Sequence, residues 1–227
     1  MSDLGITLAI IAVVGVLYPH VLYPAFLYLI SRVASRPLNE GDDLFSIDVC
    51  IAAYNEEQYI VQCISSFIES DFPAERMRIR VGDDGSIDKT AFLVEELAAA
   101  HPAYDIAVIR FERSGKNAVI NGLIQQTTKD IVVFSDADCT IERSALKHLL
   151  RPLTDATVGS VVGRTDRTDE RVSRDAAEAG EAIHRSLDDF VNTLESSIHS
   201  TVTSNGALYA VRRERLESLP DHRVADD

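Results

Sequence analysis

The chain has 227 residues, 36 of them acidic and 22 basic, for a formal net charge of −14. That length holds one substantial hydrophobic core and scarcely two, and an acidic excess spread along the whole chain excludes a nucleic-acid surface built on a basic groove. Cys50, Cys63 and Cys139 are odd in number and widely spaced, which excludes a disulfide framework and metal-ligand spacing and leaves reduced core thiols.

Residues 4–30, LGITLAIIAVVGVLYPHVLYPAFLYLI, contain no Asp, Glu, Lys or Arg; His20 alone is titratable near neutrality. As a helix this run is long enough to cross a hydrocarbon layer of about 30 Å. A cleaved signal peptide would need a basic start, a shorter apolar run and a small-residue cleavage site, all lacking here. Tyr18, Tyr23 and Tyr28 suit an interface, and Pro19 and Pro24 mark a kink or an early end. Arg32 and Arg36 follow the run while only Asp3 precedes it, so the expected location is the cell membrane, with a single pass and everything downstream in the cytoplasm. The expected organisation is a membrane anchor over 1–34, a polar linker over 35–45 and one domain over 46–227.

Within that domain, residues 46–52 (SIDVCIA) read as a strand, followed by a helix with Ile60, Cys63, Ile64, Phe67 and Ile68 on one face. A second strand at 77–82 precedes a helix near 89–100. A third, at 105–111, precedes a helix near 117–127. A fourth, at 130–135, leads into a helix through Leu146 and Leu150 to Pro152. Strands alternating with helices at this spacing predict an α/β domain, a mostly parallel sheet with helices on both faces. Between Thr165 and Ser200 a long charged helix is expected, with Glu181, Arg185 and Glu195 on a solvated face. Residues 203–214 then read as a strand, with Asn205 and Gly206 at its start and Arg212 and Arg213 at its end, the arginines expected in surface ion pairs, with phosphate pairing as the alternative.

Ligands of such sheets bind beyond the carboxyl ends of the strands. The segments there are AYNEE (53–57), DDGSID (83–88), RSGKN (113–117) and DADC (136–139). Three are rich in carboxylates and the remaining one carries Lys116. Carboxylates crowded on one rim repel one another unless a cation or hydrogen-bond donors offset them. Strand alternation sends Asp136 and Asp138 to one side with Ala137 facing away. Two such carboxylates suit Mg2+ or Mn2+, which bring substrate phosphates into the rest of their coordination shell. The plain alternative is a turn whose aspartates cap the next helix.

Taken together, AAYNEE, GDDGSIDKT, GKNAVINGL and SDADCTIE, in this order, resemble the inverting glycosyltransferases of family 2, which have the GT-A fold and use nucleotide-diphosphate sugars. The resemblance covers residues 47–227 and continues in SNGALYAVRRE (204–214) and the terminal VADD. It implies a Rossmann-like GT-A catalytic domain, a nucleotide-sugar donor that is UDP-linked, a glycan or lipid acceptor and a divalent metal. It places Ala53, Tyr54 and Glu56 in the nucleotide pocket, with Glu57 either part of that motif or a cap of the following helix. Asp84 matches the acid that meets the uracil edge, with Asp83 its neighbour; Gly85 and Ser86 make the turn, and Asp88 is read as an N-cap. Lys116 matches the lysine near the nucleotide, and Asn121 fits the pattern or serves packing. Asp136 and Asp138 become the motif that holds metal and sugar nucleotide. Asp227 matches the general base, with Asp226 beside it.

The chain departs from processive members, which carry a Gln-x-x-Arg-Trp segment; this sequence has no tryptophan. The expectation is a fragment of a longer protein or a shortened relative. Two other readings compete. A haloacid-dehalogenase-like phosphatase would use Asp136 as nucleophile and Thr140 as helper, but places its motif on the first strand and needs a lysine well downstream. A membrane-tethered protein that binds the nucleotide sugar without catalysis is the other.

Overall fold

The computed structural model describes residues 3–41, 45–164, 176–201 and 206–219. Its described helices and strands group into two compact units.

The first unit is helical. α1 (Asp3–Leu17) passes through a five-residue π-helical turn, Tyr18–Leu22, into α2 (Tyr23–Ala34). Residues Leu4–Ala34 form one helix long and apolar enough to cross a membrane. The π turn coincides with Pro19, whose missing N–H forbids an ordinary helical bond there. α1 is apolar all round, whereas α2 buries Pro24 and Leu27 on one side. That side packs against α7 (Ala176–Ile198). Tyr23 donates a hydrogen bond to Glu195 Oε1 at 2.5 Å, and the Arg36 amide donates to the Ser197 carbonyl at 2.8 Å. Glu195, expected on a solvated face, is buried; a partner on another helix removes the cost that would keep it in water. The side chains of Glu181 and Arg185 lie outside the described residues.

The second unit is a three-layer α/β domain. β1 (Ile47–Ala53), β2 (Met77–Asp83), β3 (Asp105–Arg110) and β4 (Ile131–Asp136) run parallel. β6 (Leu208–Arg212) pairs antiparallel with β4, and β5 (Ser160–Val162) with β6, giving the order β3-β2-β1-β4-β6-β5. The three-residue β5 was not predicted: its one partner lies nearly fifty residues away, and Ser-Val-Val carries no period of its own. β2 and β3 begin where expected, and every other limit of the remaining strands falls within five residues of the expected one.

Alternation fixes the layers. Ile47, Val49 and Ile51 face a core shared with Ile60, Cys63, Ile64 and Phe67 of α3 (Ile60–Ile68), Val94 of α4 (Thr90–Ala100) and Leu146 of α6 (Ala145–Leu150). Cys50, Val132 and Phe134 face the other side, against Val119, Ile120 and Leu123 of α5 (Lys116–Ile124). At Gly82 a Cβ would collide with Val119, so glycine is what lets α5 lie this close to the sheet. Asp48, wholly buried, accepts the Arg78 guanidinium at 2.7 Å and the amides of Thr128 and Lys129 at 2.7 and 3.0 Å, fixing the far ends of three strands.

Arg212 departs from the expected surface ion pair. Its guanidinium donates to the carbonyl oxygens of Val158 and Asp155 at 2.8 and 3.2 Å, and to that of Leu153. Leu153 lies in a short 3-10 helix, Arg151–Thr154, and Asp155 and Val158 in the turn after it, where no continuing helix supplies further amides; the five-donor fork ties these carbonyls to β6.

Candidate active site

Register brings the ends of the central strands to one level: Ala53 pairs with Asp83, Asp83 with Arg110, and Ala52 with Asp136. The sequence candidates therefore share one rim, in two clusters.

The first cluster joins the loops after β1 and β2. The Asp84 amide donates to the Ala53 carbonyl at 2.9 Å. Asn55 takes a left-handed conformation, φ 57°, which polar residues of its kind tolerate. There it receives a bond from the Ile87 amide at 3.0 Å and gives its own amide to Ser86 Oγ at 2.9 Å. The Glu56 amide donates to Thr90 Oγ1 at 2.8 Å, and Glu57 exchanges two bonds with the 88–89 backbone and side chain. Glu57 thus ties the two loops together and does not cap its own helix. Asp88 accepts the Thr90 amide and hydroxyl at 2.9 and 2.6 Å, so it holds the first turn from one residue before the N-cap position, which Lys89 occupies, and not from the N-cap expected of it. Burial pushes its carboxyl up, but the bonds from Thr90 and from the Glu57 amide prevail and hold it below the ordinary value. Gly85, at φ 72°, makes the turn between Asp84 and Asp88.

Asp84 is 2 % exposed, and its oxygens are occupied. The Arg113 guanidinium bonds one of them, and the amides of Ser114 and Gly115 donate at 2.7 and 3.0 Å. The same guanidinium carbon lies 3.5 Å from the centroid of the Tyr54 ring, a cation–π stack. Asp83, also buried, accepts the Ser86 amide at 3.3 Å. Sequence reading placed Arg113 on the rim but gave it no role. Its signal was only its position, three residues before Lys116; its partners Tyr54 and Asp84 are distant in sequence.

The second cluster surrounds the end of β4. Asp136 closes β4 and is half-buried, whereas Ala137, buried in the core, and the exposed Asp138 lie in the turn that follows, so strand alternation does not fix the direction of Asp138. Lys116 Nζ meets Asp136 Oδ1 at 3.0 Å. Burial, then the charges of Asp138, Asp88 and Asp136, push the Glu56 carboxyl above its ordinary range. Hard oxygen donors in mutual repulsion fit a small divalent cation; Asp136 and Asp138 are the residues that would hold it. Among the described residues no group of three or more His, Cys, Asp or Glu side chains forms a closed cage. A two-carboxylate site leaves coordination positions to a ligand's oxygens, which suits phosphate.

Cys63 lies beneath this cluster, its thiol 3.5 Å from the Asp136 carbonyl oxygen. Burial, followed by the neighbouring Cys139, raises it to about 12, so it is no nucleophile at neutral pH. Asn121, which fitted the resemblance or packing, exchanges bonds of 2.9 and 2.7 Å with the backbone of Leu219 and so fastens the stretch after β6 to α5. Asn205, Asp226 and Asp227 lie outside the described residues.

Comparison with known proteins bears on the fold and the family. A 31% identical N-acetylglucosaminyltransferase of Rhizobium meliloti aligns over 134 residues, 58% of this chain and 31% of the relative. Glycosyltransferase AglE of Haloferax volcanii is 25% identical over 183 residues, 79% of this chain and 57% of that one. The chain thus spans less than two thirds of these relatives. Among solved structures, a mannosyltransferase of Pyrobaculum calidifontis in complex with GDP-Man and Mn2+ superposes with a TM-score of 0.75 at 26% identity, covering 94% of this chain and 60% of that one. The expected GT-A type of α/β fold is borne out by that superposition. The sequence model described as Glycosyl transferase family 2 matches residues 48–209, and the chain belongs to that family.

Proposed function

We propose that the protein is an inverting hexosyltransferase that moves a sugar from a nucleotide-diphosphate sugar to a glycan or lipid acceptor at the cytoplasmic face of a membrane. The observation that carries this reading is the pair of clusters on one rim: a buried, fully bonded loop beside carboxylates crowded around a single lysine. In the domain over 46–227, Tyr54 with Arg113 offers a flat cationic surface to a base, and Ala53, Asp83 and Asp84 fix the backbone around it. Glu56 and Lys116 border the sugar nucleotide, Lys116 as a mobile cation for diphosphate. Asp136 and Asp138 hold Mg2+ or Mn2+, which when bound neutralises charge growing on the departing diphosphate. Asp227, with Asp226 beside it, is the proposed base that takes the proton of the attacking hydroxyl on the opposite face of the sugar. Residues 1–34 anchor the chain and 35–45 link it to the domain.

Family membership sets aside the phosphatase. The donor nucleotide is expected to be UDP, from the match of Asp83 and Asp84; a second reading, guanosine, is favoured by the GDP-Man carried by the Pyrobaculum neighbour. A thermal-shift panel of UDP- and GDP-hexoses, with and without Mn2+, tests both, since a ligand of the native state raises the melting temperature. A metal-dependent shift with UDP sugars alone is the expected result. A shift with GDP-mannose alone replaces the nucleotide, and no shift with any sugar nucleotide sinks the reading. Product formation then separates a transferase from a binding protein. In a full-length protein, Asp227→Asn should lower turnover by on the order of 10² to 10⁴ with donor affinity nearly intact, and Asp226→Asn should do less.

A further inference from the structure

The helix over residues Leu4–Ala34 is too long for the membrane it is proposed to cross. Its 31 residues extend about 46 Å at about 1.5 Å per residue, against a hydrocarbon layer of about 30 Å. About ten residues must leave it or the helix must tilt steeply. The structure decides which end leaves. α2 packs on α7, which carries Asp188, Asp189 and Glu195, and an aspartate at mid-bilayer costs about 2.5–3.5 kcal/mol even on the lenient insertion scale. α2 therefore lies outside the hydrocarbon. Residues 4–22 remain, about 28 Å long, and they end at the π turn with Tyr18 and Tyr23 in ring contact at 6.1 Å, where an aromatic belt belongs.

Outside the hydrocarbon, α2 has two apolar faces. Tyr23, Pro24 and Leu27 face α7. Phe26, Leu29 and Val33 form a stripe on the opposite side, in line with Leu22 at the end of the π turn, the four spaced by four, three and four residues. In chain order they are 47, 58, 66 and 90 % exposed. Left in water such a stripe is costly. It continues the proposed span without a break and is flanked by Arg32, whose guanidinium bonds the Tyr28 hydroxyl at 3.1 Å, with Arg36 just beyond. An apolar stripe edged by tyrosine and arginine suits a headgroup layer that contains anionic lipid.

We propose that the bilayer is spanned by residues 4–22 only, and that in the membrane the helix bends at its π-helical, two-proline stretch so that α2 lays Phe26, Leu29 and Val33 in the lipid headgroup layer, with α7 carried on its far side. This rests on the membrane-anchor reading above. The absence of tryptophan from the chain provides the test. Single variants Val13→Trp, Phe26→Trp, Leu29→Trp and Val33→Trp, all at exposed positions, are reconstituted in phosphatidylcholine–phosphatidylglycerol vesicles with bromines at defined acyl depths. Val13→Trp should lose most emission to the deepest bromines, and the other three to the shallowest, all three to a similar degree. If Leu29→Trp and Val33→Trp are quenched by deep bromines as Val13→Trp is, the span continues through α2 and the proposal is overturned. It is overturned equally if Val13→Trp is quenched and the other three are untouched, because the stripe then meets water or protein. If Val13→Trp too is untouched at every depth, the anchor reading itself fails, and the proposal with it.

Discussion

The two clusters on the rim are built on opposite principles. Around Asp84 every charge is met within the protein: a guanidinium, two amides and a stacked tyrosine surround a carboxylate that is almost inaccessible. Around Asp136 the carboxylates outnumber the cations, with one lysine at 3.0 Å and a Glu56 pushed upward by burial and its neighbours. Saturated hydrogen bonding stabilises a loop; concentrated like charge destabilises the fold locally and binds a cation in return. The contrast teaches that residues of the same type, on strand ends separated only by β1, serve rigidity on one side and are proposed to serve binding on the other.

The largest expected effect breaks the binding cluster. Asp138→Asn should weaken Mn2+-dependent binding of a nucleoside diphosphate by more than the roughly 10–100-fold that losing an outer-sphere partner costs, as titration calorimetry would read. Stability without metal should stay within about 0.5 kcal/mol of the parent, because one source of repulsion on Glu56 is gone. Unchanged affinity would remove Asp138 from the site. Asp84→Ala should do the reverse, costing about 2–4 kcal/mol of stability in denaturant unfolding, since charged hydrogen bonds are worth about 1.5–3 kcal/mol each. A cost below about 1 kcal/mol would mean that the loop is held by other contacts.

Asp88→Ala should cost about 1 kcal/mol, the value usual for a lost side-chain bond to a helix's first turn. Its carboxyl is lowered from an ordinary value of 3.8, so the contribution is full above 3.8 and is lost as pH falls through the lowered folded value. The gap between parent and variant in urea melts should therefore close in acid; a gap that widens there contradicts the assignment. The last substitution sharpens the comparison: Arg113→Ala should cost about 1–2 kcal/mol, less than Asp84→Ala, because it takes one charged hydrogen bond from the buried Asp84 while the Ser114 and Gly115 amides keep theirs. Donor affinity should fall measurably all the same if the Tyr54–Arg113 surface receives the base.

Much of the fold was legible because its signals are local. The alternation in Ile47–Ala53 and Ile131–Asp136 and the helical face of Ile60, Cys63, Ile64 and Phe67 each repeat within a few residues. The rim loops follow from the rule that ligands bind beyond strand ends, which pointed to the segments 53–57, 83–88, 113–117 and 136–139, while the family resemblance singled out Tyr54, Glu56, Asp84, Lys116, Asp136 and Asp138 within them. Glu195 was misread for the opposite reason. Its helix is charged, and nothing near it in sequence announces that Tyr23, 172 residues away, will meet it.

The sequence by itself determined the period of each element, the apolar helix at the N-terminus and the order of the carboxylate-rich loops, since these depend on neighbours along the chain. Only the tertiary structure decided how charge is distributed among those loops. Arg113 is spent on Asp84 and Tyr54, Lys116 on Asp136, Arg212 on the carbonyls near β5, and Asn121 on Leu219. Each is a long-range partnership in which a side chain satisfies a polar group that burial would otherwise leave costly. Such debts arise only once the sheet has formed, so no local pattern of residues can record which partner will settle them.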